Sequence, residues 1–173
     1  LLDSGMSPLT VGSYITVVRK FYEWAEANKI YPNVAKGIKT PKRKQQFQKQ
    51  ALTPELGKDL LNYFEHKAKR DYAIVNLLIR TGLRTIEVSR ANIEDITYKG
   101  GKRVLLVHGK GRDSKDNFVI LTDKAYGPIK EYLEGRDNPK LKEPLFTSTS
   151  NNSKGERLTT RTISGVVRDG MRA

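Results

Sequence analysis

Two places in the chain put charged side chains where they could act chemically. The first is the run Leu77-Leu78-Ile79-Arg80-Thr81-Gly82-Leu83-Arg84-Thr85-Ile86-Glu87-Val88, in which an apolar helix gives way to another helix. Such a corner can aim a charge. Gly82 suits a helix C-terminus that needs positive φ, which predicts Arg84 near the start of a new short helix, its guanidinium held by the buried helix behind it. Glu87 follows three residues later, on the same helical face and within reach of the arginine. The same residues also fit an ordinary helix-turn-helix corner with a surface ion pair. The second place is Gly109-Lys110-Gly111-Arg112-Asp113-Ser114-Lys115-Asp116, which reads as a flexible turn offering three cations.

Charge indicates what such cations would meet. Lys and Arg number 32 against 19 Asp and Glu, a formal charge of +13, beyond what solubility requires and suited to a polyanion such as nucleic acid. A hydrophobic fraction of 37% over 173 residues can bury one core and part of another. There is no cysteine, and the two histidines stand alone at positions 66 and 108. That leaves no disulfide framework, no thiolate metal site and no zinc set. No stretch is long and apolar enough to span a membrane and no basic-then-apolar leader opens the chain, so a cytoplasmic location is expected.

The elements that must position these residues are legible from periodicity. Ser7-Pro8 reads as N-cap and first helical residue, after which Leu9, Val11, Tyr14, Ile15, Val18, Phe21, Tyr22, Trp24 and Ala25 recur at three and four spacing up to about Asn28. This aromatic stripe is expected to be core rather than a ligand cage. Leu1 to Met6 looks like the tail of an earlier helix, so the first domain is expected to be truncated. From Ala27 to Pro54 there is no acidic residue, while Lys39, Lys42, Arg43 and Lys44 gather around Pro41. We read 39–52 as a basic linker, either a solvated connector or a strap lying along phosphates.

Thr53-Pro54-Glu55 opens a second domain with a cap, a proline at the first helical position and an acid in the first turn, in a helix to about His66. Lys69 to Thr81 is apolar nearly all round and should be the central buried helix, followed by a short one over Thr85 to Arg90. The period then changes. Ile93–Tyr98, Arg103–His108 and Asn117–Leu121 read as three antiparallel strands, the first two joined by a tight turn at Gly100-Gly101. Helices return over Asp123 to Glu134 and Thr159 to about Arg168, with Pro144 to Phe146 extended between them. Tyr126 and Tyr132 are expected to be packing residues.

An apolar helix, Thr-Gly-Leu-Arg-x-x-Glu, then a three-stranded sheet with Gly109-Lys110-Gly111 at its second turn, 26 residues after Arg84, resembles the catalytic domain of the tyrosine recombinases, or phage integrases. Ser7-Pro8-x-Thr10-Val11-x-x-Tyr14 with Phe21 and Trp24 is similar to the last helices of that family's core-binding domain. The resemblance implies an α+β, mainly α fold: a helical core-binding piece at 1–38, the linker 39–52, and a catalytic domain at 53–173 with a small three-stranded antiparallel sheet.

In such enzymes a tyrosine attacks a DNA phosphodiester, forming a 3′-phosphotyrosyl bond and releasing a 5′-hydroxyl without metal, cofactor or nucleotide energy. The resemblance implies that Arg84 binds the nonbridging phosphate oxygens through its planar fork and that Glu87 orients it. Lys110 would protonate the departing 5′-oxygen, with Lys115 the alternative donor. Lys39, Lys42, Arg43, Lys44, Arg112 and Lys115 are the expected DNA contacts. Double-stranded DNA and further protomers of the same recombinase are the expected partners, with no membrane and no small-molecule substrate.

The departures matter too. The family pattern continues with a His-x-x-Arg box and the nucleophilic tyrosine, and after Arg161 this sequence has no His, Trp or Tyr. The chain alone is therefore expected to bind DNA without cleaving it, and the helix 159–168 to present Ile163, Val166 and Val167 as an uncovered apolar face. Two alternatives stay open: a noncatalytic DNA-binding regulator or decoy, and a metal-dependent nuclease. The latter is disfavoured because Glu94 and Asp95 are merely adjacent in a strand rather than converging.

Overall fold

The computed structural model describes residues 5–42, 51–108, 115 and 117–173. The chain divides into two compact units, Leu1–Ala51 and Leu52–Ala173.

In the first unit the Ser7 hydroxyl accepts the Thr10 amide at 3.1 Å and Pro8 opens helix α1 (Pro8–Ala27), which Asn28 ends. Both signals are local, which is why the helix matches its sequence reading. The aromatic stripe does not lie in a core. Phe21 and Trp24 are 57% and 55% exposed, and the buried apolar side chains of this unit, among the described residues, are Val11, Ala25 and Ala35. The rings pack mainly on one another: Phe21 meets Tyr22 edge-on at 5.4 Å and Trp24 at 6.1 Å. One helix and the segment after it supply too few side chains to cover the stripe. Periodicity marks an apolar face but cannot say what lies over it.

The second unit contains helices α2 (Pro54–Glu65), α3 (Lys69–Thr81) and α4 (Thr85–Arg90), a 3₁₀ turn (Ile93–Asp95), strands β1 (Ile96–Lys99), β2 (Lys102–Val107) and β3 (Asn117–Ile120), and helices α5 (Asp123–Glu134) and α6 (Thr160–Gly170). The fold is α+β and mainly α. Thr53, Thr122 and Thr159 each cap the helix that follows through a side-chain hydroxyl, supplying acceptors for amides that have no intrahelical partner. The sheet runs β1-β2-β3, antiparallel throughout, with Tyr98 opposite Arg103 and Leu105 between Ile96 and Val119. Gly100 and Gly101 have φ of 56° and 73°, the pair of positive values that a two-residue type I′ hairpin requires.

Residues 93–95 coil into a 3₁₀ turn instead of beginning the first strand. The Asp95 carboxylate accepts the Asn92 amide at 2.8 Å, and that local bond competes with pairing in the sheet.

Helix α3 is the hub. Ala73, Ile74 and Leu77 join Val88, Leu105, Ile129, Leu145, Phe146 and Ile163 in the main core, while Val75 packs with Leu60 and Phe64 in a second cluster against α2. One residue breaks the buried apolar stretch Ala73–Leu77 of α3: Asn76 is fully buried. Pro128 lies inside α5, and having no N–H it leaves the carbonyl of Lys124 without its helical donor. Asn76 Nδ2 donates to that carbonyl at 2.9 Å, and Asn76 Oδ1 accepts from Arg80 Nε at 2.7 Å. The buried amide thus repairs a defect made by a proline 52 residues away.

Helix α6 departs from expectation. Ile163 is 0% exposed, and Val166 and Val167 pack on the α2 cluster. The expected uncovered face is turned inward, because α2 and α3 already offer a second apolar surface. Burying an isoleucine contributes about 1.5–3 kcal/mol towards seating the helix. Tyr132 is buried, stacks on Phe146 at 5.6 Å and places its hydroxyl 3.1 Å from Thr147 Oγ1. Tyr126 lies under Arg103, whose guanidinium carbon is 3.9 Å from the ring centre. Both tyrosines pack.

Candidate functional site

Gly82 ends α3 in the left-handed region at φ 65°, its amide bonded to the Leu78 carbonyl at 3.0 Å. The chain then turns through buried Leu83, and Arg84 becomes the N-cap of α4. Arginine has no acceptor and cannot cap with its side chain. The cap instead works backwards: Glu87 Oε2 accepts the Arg84 backbone amide at 2.7 Å, and Glu87 Oε1 takes Arg84 Nη1 at 3.3 Å. One carboxylate therefore fixes both the backbone and the side chain of Arg84. The Glu87 side chain is 9% exposed and that of Arg84 71%, so the acid is sunk into the fold while the guanidinium faces solvent. That is the geometry of a presented cation.

The far end of α4 is held as firmly. Arg157 Nη1 donates to the carbonyls of Ser89 at 2.8 Å and Ala91 at 3.1 Å, Arg157 Nη2 donates to Asn92 Oδ1 at 2.5 Å, and the Ser89 hydroxyl donates to the Leu158 carbonyl at 2.6 Å. A cation at a helix C-terminus complements its carbonyls and dipole. Sequence reasoning missed Arg157, since nothing in a loop residue 65 positions after Asn92 signals that it will cap α4. Asp95 was recognisable in principle, because Asn92-x-x-Asp95 has the spacing of a capping box.

Lys115 lies beside β3, and its ammonium pairs with Asp95 Oδ1. Asp95 is 2% exposed, and its other oxygen holds the Asn92 amide. Lys115, expected as a DNA contact or second proton donor, is thus engaged with a buried acid, its side chain 26% exposed. Glu94 faces solvent while Asp95 turns inward, so these neighbouring carboxylates do not converge on one point. Lys110 and Arg112 lie outside the described residues, as do Arg43 and Lys44. Lys39 and Lys42 are exposed in the first unit, and Lys39 shares a shallow depression there with Arg19. The groove of about 690 Å³ among Leu61, Val75, Leu78, Ile79 and Val167 is mostly apolar. Lys58, Arg80 and Lys124 also line it, but among the described residues no buried carboxylate aims them as Glu87 aims Arg84. Among the described residues no helix is long and apolar enough to cross a membrane.

Comparison with known proteins agrees with this architecture. The pattern of the phage integrase family matches residues 50–173. The chain is 32% identical over 164 residues to the tyrosine recombinase XerC of Pelobacter propionicus, covering 90% of this chain and 50% of that protein. It is 29% identical over 162 residues to the tyrosine recombinase XerD of Oceanobacillus iheyensis, covering 92% and 53%. It therefore spans about half the length of these curated relatives. In fold it is similar to the lambda integrase of a dimer bound to a COC′ core site, with a TM-score of 0.67 at 14% identity over 99% of this chain and 47% of that one. XerA recombinase gives 0.55 at 22% identity over 98% and 55%. With the Thr81-Gly82-Leu83-Arg84 corner, the capped Glu87 and the three-stranded sheet in place, the chain belongs to the phage integrase family of tyrosine recombinases.

Proposed function

We propose that this chain forms part of a site-specific recombinase that grips duplex DNA and supplies Arg84, Glu87 and Lys110 to strand cleavage. The observation that carries the reading is the 71% exposed guanidinium of Arg84, fixed at backbone and side chain by one buried carboxylate. In the proposed reaction a tyrosine hydroxyl attacks the phosphorus and gives up its proton to solvent. The bond from phosphorus to the 5′-oxygen breaks, that oxygen takes a proton from Lys110, and a 3′-phosphotyrosyl ester remains. Negative charge grows on the nonbridging oxygens, where a preorganised fork stabilises it without reorganising. Glu87 keeps the fork aimed. The proposed setting is the cytoplasm, with DNA and further protomers as partners and no cofactor.

These 173 residues contain no tyrosine after Tyr132, and Tyr126 and Tyr132 are committed to packing. The chain alone therefore binds a phosphate without cleaving it, since nucleophilic catalysis needs an activated group held in line. The test is a nicked suicide duplex incubated with this chain and with the intact recombinase, then run on a denaturing gel. The intact protein gives a DNA-linked band and the 173-residue chain gives none. A band from the chain that disappears on mutating Tyr126 or Tyr132 overturns this division of labour. An intact protein that binds DNA yet never forms a band favours the regulator reading.

A further inference from the structure

We infer that Asp95 is a positioning residue for DNA cleavage: its buried carboxylate sets the spacing between the helix that carries Arg84 and the strand that follows the β2–β3 turn. The inference rests on the proposed recombinase reading and deepens it.

A run of polar bonds joins the two regions. Arg157 clamps the last carbonyls of α4 and holds Asn92 Oδ1, the Asn92 amide donates to Asp95 Oδ2 at 2.8 Å, and Asp95 Oδ1 takes the Lys115 ammonium. Lys115 is two residues from the start of β3, so the pair ties that strand's root to the 3₁₀ turn, which Asn92 and Arg157 join to the end of α4. Chemistry makes the tie specific. A carboxylate that is 2% exposed is tolerated only when paired and hydrogen-bonded, and Asp95 has a partner on each oxygen. Any shift of the β3 root away from α4 would leave the acid without its cation. The pair therefore works as a fixed strut, while Glu87 in the first turn of α4 leaves its own cation in solvent.

The experiment uses the intact recombinase with Asp95→Asn, Lys115→Met and the double variant, scored for duplex affinity, thermal midpoint and single-turnover cleavage. Two duplexes are compared, one with the natural 5′-oxygen leaving group and one with a 5′-sulfur that departs without a proton. Affinity stays within twofold. Cleavage of the oxygen substrate falls on the order of a hundredfold in all three variants, the scale expected of an ångström-sized misplacement. The double variant recovers the thermal midpoint lost in Lys115→Met, because no charge is left buried alone, but it does not recover cleavage. The sulfur substrate restores most of the rate in all three, as it does in Lys110→Ala, because what is lost is proton delivery to the leaving oxygen.

Cleavage that returns with stability in the double variant overturns the inference and reduces the pair to a structural role. Equal defects on both substrates also overturn it. A wild-type protein that forms no DNA adduct overturns the recombinase reading and this inference with it. A wild-type adduct with an unimpaired Asp95→Asn overturns the inference alone.

Discussion

Two acid–base pairs, one in the first turn of α4 and one reaching from the 3₁₀ turn after it, are built alike, yet they end differently. In each, a buried carboxylate accepts the backbone amide three residues before it, Glu87 from Arg84 and Asp95 from Asn92, and gives its second oxygen to a cation. At the front the cation is an arginine whose side chain is 71% exposed, and at the back a lysine that is 26% exposed. The front pair spends its acid on aiming a charge outward. The back pair uses both charges to hold the chain to itself. A carboxylate with an amide and a cation is thus one structural module, and the depth of the cation decides whether it serves a ligand or the fold.

The largest effect that tests this contrast lies at the front. Arg84→Ala and Arg84→Lys in the intact recombinase should both lower cleavage by roughly 10²–10³-fold, the loss expected when one preorganised donor to a developing oxyanion is removed. Lysine keeps the charge but not the planar fork, so it should fail nearly as badly as alanine. Duplex affinity should stay within a few fold if, as proposed, many other cations share the phosphates. Rates of covalent adduct formation and a binding titration check both halves. An Arg84→Lys variant that cleaves at the wild-type rate would mean that charge, not geometry, is what the corner presents.

Stability should show the opposite ranking. Lys115→Met leaves the Asp95 carboxyl, 2% exposed, without its cation, which should cost about 3 kcal/mol, the low end for a broken buried pair since part of Lys115 already meets water. Arg84→Ala should cost less than about 1 kcal/mol, as for an exposed ion pair. Denaturant midpoints of the two variants measure the difference. If Arg84→Ala were the more destabilising, the front pair would be as structural as the back one.

The helix corners were legible in the sequence because their signals are local. Thr53-Pro54, Lys69 to Thr81 and Gly82 depend on residues within one turn of each other, and α3 and α4 fall where periodicity and the glycine place them. The Arg84–Glu87 contact followed from three-residue spacing on a helix. The Asp95–Lys115 pair joins residues 20 positions apart, and the Arg157 clamp joins residues more than 60 apart. Both are decided by hairpin register and loop path, which no window of sequence contains. The aromatic stripe of α1 failed differently, since its periodicity was right and its cover was not.

Two glycines offer a smaller test of how the corner is held. Gly170 lies at the end of α6, where a Cβ would sit 2.6 Å from Phe64 Cζ and 3.1 Å from Leu60 Cδ1. Gly170→Ala should therefore cost about 1–3 kcal/mol as overpacking of α6 on α2. At Gly82 a Cβ would meet nothing within 4 Å, so Gly82→Ala should cost only the left-handed backbone strain, about 1 kcal/mol. Their catalytic effects should reverse that order, because Gly82 sets the entry to Arg84 and Gly170 lies in the α2–α6 packing. Thermal midpoints and adduct rates on both variants decide it.

The smallest effect separates anchored cations from those left in solvent. Lys39 and Lys42 are exposed and take part in none of the ion pairs found among the described residues. If they lie along phosphates, each displaces condensed counterions when DNA binds, and the slope of log affinity against log salt should shrink by about 0.9 for each lysine replaced by alanine. Lys115→Met should leave that slope unchanged, because a lysine already neutralised by Asp95 releases no counterion. All three variants should bind related duplexes with unaltered ranking, since phosphate contacts position a protein without reading bases. Titrations at several salt concentrations give the three slopes directly. A slope that falls for Lys115→Met but not for Lys39→Ala would place the DNA against the sheet root rather than the strap, and would turn the back pair into a presented cation like the front one.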